Sequence, residues 1–391
     1  MVRRLGAPRT ITRNSMLHRR QTRDSLRRIR PGLLLVAFLL ASCGQGPTAN
    51  QQPSPTPSAQ ASPVASPSPA QQLGPGGLTL DEEIGAVIMV GFLGSPSDAV
   101  IADWNRHQFG GLLIVNNNHN ATTAASMKAV IARVRGTVRH RLIAATDQEG
   151  GQVCLAISSV PCEPMPVGQA GTTKMAAALK ALGFDLDLGP VSDVCNGSSS
   201  IMWGRCYGTN PATVATAVGA VVDGIHAAGM LSAAKHFPGH GDTSVSSETS
   251  LPRINESLAT LESRDWPPFK TAAAHGVDFV LLGHLYYPAL DTVHSADLSP
   301  VTIQRLRSDV GFKGAIISDD MQMGAITAST PVPEAAVEFL VNGGDMVMVA
   351  HQISVADATF SAIKAAVASG RLKRSRLDQA VAALQALPNR S

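Results

Sequence analysis

Eight short apolar runs of strand character, helical stretches between them, and ionisable residues at the ends of the runs predict an α/β chain folded as a single (β/α)8 TIM-type barrel. The runs fall at 86–92, 111–115, 142–147, 184–188, 231–236, 278–283, 315–319 and 345–350. Each is continuous rather than alternating, as parallel strands buried on both faces are. Ala-rich stretches at 121–135, 172–182, 211–228 and 256–275 supply helices between them. Eight such units over residues 78–391 match the length of this type of barrel. A doubly wound open sheet competes, but it usually has fewer strands, and no glycine-rich dinucleotide fingerprint follows the first run.

Two segments of different character precede the barrel. Residues 1–30 hold ten arginines and one acid, Asp24, so the chain's formal +3 leaves −6 for the remainder. Basic charge confined to a leader, with aromatics at 4%, argues against a nucleic-acid partner. Pro31-Gly32, the apolar run 33–40 and Leu40-Ala41-Ser42-Cys43 follow. A basic region, a short apolar region and small residues at a cleavage point describe an export signal. A run this short does not cross a hydrocarbon core of ~30 Å. The Leu-Ala-Ser-Cys ending resembles a bacterial lipobox, which implies a signal over 1–43, cleavage before Cys43 and lipidation of its thiol. The expected product is a membrane-anchored lipoprotein on the outer face of the cytoplasmic membrane or in the cell envelope. An ordinary signal with a chance cysteine is the alternative. Residues 44–77 carry eight prolines, no charge and no aromatic, and are expected to be a disordered tether.

Beyond Cys43 remain Cys154, Cys162, Cys195 and Cys206, an even number in a chain expected to be exported. Of three connectivities, the local one, Cys154–Cys162 with Cys195–Cys206, is expected because each bond would staple one loop. Buried free thiols are the alternative. A zinc site lacks C-x-x-C spacing.

Barrel enzymes carry their reactive groups at the C-terminal ends of strands. Here Asp147 closes the third run, Asp193 follows the fourth and Lys235-His236 close the fifth. His284 follows the sixth, and Asp319-Asp320 close the seventh. Ionisable groups at five ends of one rim define a pocket.

These residues sit in four motifs: Asp147-Gln148-Glu149-Gly150-Gly151, Gly204-Arg205-Cys206-Tyr207-Gly208, Lys235-His236-Phe237-Pro238-Gly239-His240-Gly241 and Ser318-Asp319-Asp320-Met321. Together they resemble glycoside hydrolase family 3, in its β-N-acetylglucosaminidase branch, across essentially all of 78–391. The resemblance implies a retaining β-glycosidase without cofactor or metal. It acts on a carbohydrate substrate, expected to be terminal N-acetylglucosamine on cell-wall (peptidoglycan) fragments. It assigns Asp319 as the nucleophile of a glycosyl-enzyme intermediate, and a carboxylate at a strand end suits attack on an anomeric carbon. Asp147, Arg205, Lys235 and His236 match sugar-contacting positions. Asp320 and His240 are expected to be structural.

Two departures bear on function. Where the family's loop ends in D-S-H, with histidine as acid/base, this chain reads Ser246-Ser247-Glu248. Glu248 is the expected proton donor, because a carboxylic acid commonly fills that role in glycosidases, and Asp242 is the second choice. Loss of the donor, leaving a barrel lipoprotein that binds wall sugars without turnover, is the alternative. Second, the family's D-Q-E-G-G-R-V-x-R continues here as Gln152-Val153-Cys154-Leu155, so both arginines are gone. A metal-dependent hydrolase on His236, His240, Asp242 and His284 is a third reading. Pro238-Gly239 would break any helix presenting the first two together.

Overall fold

A computed structural model describes residues 73–390. The expected signal, Cys43 and nearly all of the tether lie outside the described residues. Eight parallel strands close in chain order: β1 (Ile88–Val90), β2 (Gly111–Leu113), β3 (Ile143–Thr146), β4 (Leu186–Asp187), β5 (Leu231–Phe237), β6 (Phe279–Leu282), β7 (Ala315–Asp320) and β8 (Met346–Val349). β8 pairs with β1 through Met89 and Met348, which closes the barrel. Every expected run holds one strand, and most strands are shorter than their runs because the ends enter rim loops. Nearly all strand residues are buried, which is why their sequences show no polar alternation.

The connecting helices are Asp98–His107, Ala124–Arg135, Gln169–Leu182, Pro211–Ala227, Trp266–Ala274, Pro300–Ser308, Val332–Val341 and Ile353–Ala368. Two begin with a polar cap followed by proline. Asn210 Oδ1 accepts from the N–H groups of Ala212 and Thr213 at 3.0 and 3.1 Å, and Ser299 Oγ accepts from Thr302 N–H at 3.2 Å. Proline at the first helical position loses no bond, since that N–H has no partner in the helix. The helix expected over 256–275 is divided: Leu258–Thr260 and a wide turn at Leu261–Asp265 precede Trp266–Ala274. Pro267 and Pro268 have no N–H to give carbonyls one turn earlier, so a regular helix starts only at their position. The last tether residues also differ from expectation. Pro75–Gly77 form a 3-10 turn, and the Gln385 side-chain amide donates to Pro75 O at 3.1 Å.

Register shifts among the described strands fall at two places. One lies in β5 between Ala234 and Phe237, the other in β7 between Ile317 and Asp320. An extra residue in one strand bends it and re-aims its side chains. These are the segments that carry Lys235-His236 and Ser318-Asp319.

The N-terminal rim repeats one device. Asp185, Asp278 and Asp345 stand just before or between strands, and each reaches back to a backbone N–H near the start of the preceding odd-numbered strand. The donors are Ala144, Ser232 and Ile316, at 2.9, 3.0 and 2.9 Å. Each acid also meets basic side chains. Asp185 meets Arg135, Asp278 meets His226 and Arg390, and Asp345 meets Arg307 and Arg376.

Candidate active site

The opposite, C-terminal rim opens into a cavity of about 410 Å3 lined by Asp147, Glu149, Arg205, Lys235, His236, Glu248 and Asp319, among others. Strands β3, β5 and β7 thus bring together residues more than 170 positions apart. Asp242 is not among the lining residues. Asn196 Nδ2 donates to its carboxylate at 2.5 Å, and Arg264 approaches at 3.4 Å. This second choice for proton donor is therefore held in an ion-pair network to the side.

At the cavity wall, Lys235 Nζ meets Glu149 Oε1 at 2.7 Å and also bonds Asp147. Arg205 clamps the same Glu149 with two parallel bonds, Nε to Oε2 at 2.8 Å and a terminal nitrogen to Oε1 at 2.6 Å. Burial opposes the charge of Glu149, but Lys235 and Arg205 overcome it and bring its carboxyl down to about 2. The Glu149 side chain is 1% exposed and that of Asp147 is 30% exposed. Glu149 therefore braces the cations from behind, leaving Asp147 to meet a ligand. Glu149 was not assigned a role from sequence, although it is the third residue of the D-Q-E-G-G motif.

Asp193 organises the turn after β5. Its Oδ2 bonds His236 Nδ1 at 2.8 Å, and its Oδ1 accepts from the backbone N–H of His236 at 3.2 Å and of His240 at 2.7 Å. His236 thus turns its other ring edge away from Asp193. His240 is buried against it, ring to ring at 5.6 Å, and its Nε2 lies 3.1 Å from Ser247 Oγ. Burial pushes His240 down to about 4, so it stays neutral and serves as a prop for the loop holding Ser247.

Asp319 lies at the end of β7 and accepts from Asp320 N–H at 2.8 Å. Burial disfavours its charge, but His236, His284, that N–H and Lys235 outweigh burial and hold the carboxyl below its ordinary range. His284 is a charged neighbour on geometric grounds alone. Its Nδ1 faces the Asp297 carboxylate at 3.0 Å and its Nε2 faces Asp320 C=O at 2.9 Å, so both nitrogens must donate. Burial pulls the ring toward neutrality, yet Asp297 raises it to about 9. Asp320 also lines the cavity, but its Oδ1 is taken up by the N–H groups of Gln322 and Ala350 at 3.0 and 2.9 Å. Of the two adjacent acids, Asp319 keeps an ionised carboxylate free of backbone bonds beyond the Asp320 N–H, and Asp320 ties β7 to the end of β8.

The segment Ser246-Ser247-Glu248 closes one side. Ser247 C=O accepts from Ala325 N–H at 3.0 Å and Glu248 C=O from Gly324 N–H at 2.9 Å. A Cβ at position 324 would meet the Thr249 backbone at 2.6 Å, so glycine lets the loop dock. Burial, then Asp319 and Asp320, raise the Glu248 carboxyl above its ordinary value. A carboxyl raised above its ordinary value and one held below it thus line one cavity.

Two disulfides staple loops that contribute to the cavity lining. Cys154 joins Cys162 and Cys195 joins Cys206, with Cα–Cα distances of 5.8 and 6.1 Å. Among the described residues no group of three or more His, Cys, Asp and Glu side chains is placed to hold a metal ion.

The family model described as "Glycosyl hydrolase family 3 N terminal domain" matches residues 79–387. The chain belongs to glycosyl hydrolase family 3. A β-hexosaminidase of Neisseria meningitidis serogroup C is 32% identical over 267 residues, covering 63% of this chain and 73% of that one. A family 3 β-N-acetylglucosaminidase structure from Paenibacillus sp. superposes with a TM-score of 0.76 at 30% identity. That match covers 80% of this chain and 62% of the other, so this chain spans less than two thirds of that protein. A β-N-acetylhexosaminidase structure from Beutenbergia cavernae gives a TM-score of 0.73 at 25% identity, covering 79% of this chain and 98% of that chain. Within family 3 the likeness is to β-hexosaminidases, and the closed eight-stranded barrel is the fold they share with this chain.

Proposed function

We propose that the chain is an exported, retaining β-N-acetylhexosaminidase that removes terminal β-linked N-acetylglucosamine from cell-wall fragments, with Asp319 as nucleophile and Glu248 as acid/base. The observation that carries this reading is one cavity lined by a carboxylate held in its ionised form and a carboxyl raised toward its protonated form.

In the first step an Asp319 oxygen attacks the anomeric carbon. The bond to the leaving oxygen breaks as Glu248 gives that oxygen a proton. In the second, the Glu248 carboxylate takes a proton from water, which attacks the same carbon and releases Asp319. Lys235 and Asp147 offer a donor and an acceptor to sugar hydroxyls, and charge-assisted bonds of this kind orient a ligand strongly. Two disulfides support an oxidising compartment, and the signal-like leader with Cys43 supports membrane anchoring.

Incubation with a slowly turned-over 5-fluoro N-acetylglucosaminyl fluoride, followed by peptide mapping, is expected to find the sugar on Asp319. A label on Asp320, or turnover with no covalent intermediate, would overturn the assignment. Labelled fatty acid is expected to enter the wild type and not Cys43→Ala; equal labelling of the two would end the anchor proposal.

A further inference from the structure

The tether joins the barrel on the N-terminal rim, opposite the catalytic cavity. Gly74 N–H donates to Leu78 C=O at 2.8 Å, and a Cβ on Gly74 would collide with the Glu83 carboxylate. The helix Leu80–Ala86 then leads straight into β1, and its Glu82 pairs with Arg139, just before β3, at 2.8 Å. The C-terminal helix Arg374–Gln385 and the residues after it lie across the same rim. Arg376 reaches Asp345 before β8 at 2.6 Å, and Arg390 reaches Asp278 before β6 at 2.9 Å. Arg141, before β3, donates to Leu387 C=O at 3.0 Å.

That rim carries most of the positive charge of residues 73–390. The segments entering the strands are 73–87, 105–110, 133–142, 180–185, 226–230, 270–278, 305–314 and 342–345. Together with 369–390 across them, they hold fifteen lysines and arginines against eight aspartates and glutamates, whereas the rest holds seven against twenty. A body of net −6 is therefore divided into a face of +7 and a remainder of −13. Helix dipoles favour cations at helix C-termini and explain part of this division. They do not explain Lys313, five residues beyond the helix end at Ser308, or Lys373, at the N-terminus of the last helix.

The same face holds a second cavity, of about 670 Å3, with Lys270, Lys313 and Arg390 in its lining and Asp278 as the one acid among the described residues there. Asp278 is already filled by His226, Ser232 N–H and Arg390. Lys270 and Lys313 are exposed and form no hydrogen bond or ion pair among the described residues. Two unengaged ammonium groups beside an opening suit a phosphate anion.

From this we infer that the N-terminal rim docks on the anionic phospholipid surface of the membrane, with Lys270 and Lys313 on lipid phosphates, so that the catalytic cavity opens away from the bilayer. Basic protein surfaces are drawn to anionic lipid, and the attraction acts within about a Debye length. Leu73 lies thirty positions after Cys43, so the anchor brings the body near the bilayer and the charge division selects the face that meets it. The inference rests on the membrane-anchored reading above and adds an orientation to it.

The full chain is expressed with its leader, isolated after export and mixed with vesicles of phosphatidylcholine, with or without phosphatidylglycerol. A photoreactive benzoylphenylalanine replaces either Ser375, exposed on the last helix, or Val293, 77% exposed in the loop after β6 on the catalytic rim. Cross-linking to lipid is expected from position 375 and not from 293. It should require phosphatidylglycerol, being strong at about 0.05 M salt and fading at about 0.5 M. The triple change Lys270→Glu, Lys313→Glu and Lys373→Glu should lose at least about ten-fold of this cross-linking while keeping the wild-type thermal midpoint. Equal cross-linking from the two positions, or cross-linking indifferent to phosphatidylglycerol or to the three lysines, would overturn the docking face. Fatty-acid labelling of the same samples separates this result from the anchor. A chain without fatty acid that still floats with phosphatidylglycerol vesicles through these lysines would sink the anchor and keep the docking face. A lipidated chain with no preferred face would do the reverse.

Discussion

The two rims of the barrel use the same residue types to opposite ends. At the N-terminal rim, Asp185, Asp278 and Asp345 each accept a backbone N–H from the preceding odd-numbered strand and one or two basic side chains. Asp278 is saturated: His226, Ser232 N–H, Ser232 Oγ and Arg390 share its two oxygens. At the C-terminal rim, Asp319 takes one N–H from its own neighbour and otherwise faces open space. Its charge is sustained by His236, His284 and Lys235, which favour it without being consumed by it. A carboxylate whose lone pairs are filled by the protein stabilises the fold, and one sustained by charge but left open can react.

The largest expected effect tests that difference directly. Asp319→Ala should lose at least about 10⁴-fold in kcat on every β-glycoside, activated or not, while its thermal midpoint stays near wild type. A variant that keeps activity on activated aryl glycosides would show that the open carboxylate is not the nucleophile.

Next in size is Glu248→Gln, on the same rim. Cleavage of a sugar–sugar bond should slow by roughly 10²–10⁴-fold, while formation of the intermediate from an activated aryl glycoside, read as a pre-steady-state burst, should hardly change. Azide should restore aryl turnover because it attacks without deprotonation. The wild-type pH profile should show an acid limb below the ordinary aspartate range, from Asp319, and a basic limb above the ordinary glutamate value, from Glu248. Unchanged rates on both substrates would make Glu248 a bystander.

Asp278→Ala, on the opposite rim, should invert the pattern. Removing one partner of a buried cluster costs about 3 kcal/mol, a drop of roughly 6 °C or more in Tm, with kcat per folded molecule unchanged. Loss of kcat with an unaltered Tm would erase the contrast between the rims.

The smallest effect concerns His284. Its folded value of about 9 lies above the ordinary ~6.5, so its contribution is fully present below about pH 6.5 and is lost as pH climbs through about 9. Wild-type stability should therefore fall over that window by about 1–3 kcal/mol, as denaturant midpoints would report. His284→Asn should start less stable and lack the slope; an unchanged slope would show that the imidazolium is not the source.

Much of the scaffold was legible because its signals are local. Buried parallel strands impose continuous apolar runs, so counting eight of them counted the barrel. Cys154–Cys162 and Cys195–Cys206 close short loops, and the ends of β3, β5 and β7 announced Asp147, Lys235 and Asp319. Other features carried no such signal. Asp242 directly follows the motif that ends at Gly241, yet Asn196 and Arg264 hold it outside the cavity lining. Glu149 carries no local signal of its role between Gln148 and two glycines, although Lys235 and Arg205, dozens of residues away, both converge on it.

The sequence by itself therefore determined the number and order of the strands, the rim on which the cavity opens, and several of the ionisable residues that line it. All of these follow from patterns spanning a few neighbouring residues. The tertiary structure alone decided the charge states: that Glu149 is a buried counter-ion, that His284 is cationic, that Asp319 is left open while backbone N–H groups engage Asp320, and that Glu248 is raised. Each depends on which charges and amides stand within a few ångströms of it. Closing the barrel brings together groups from strands whose separation along the chain carries no periodicity to read.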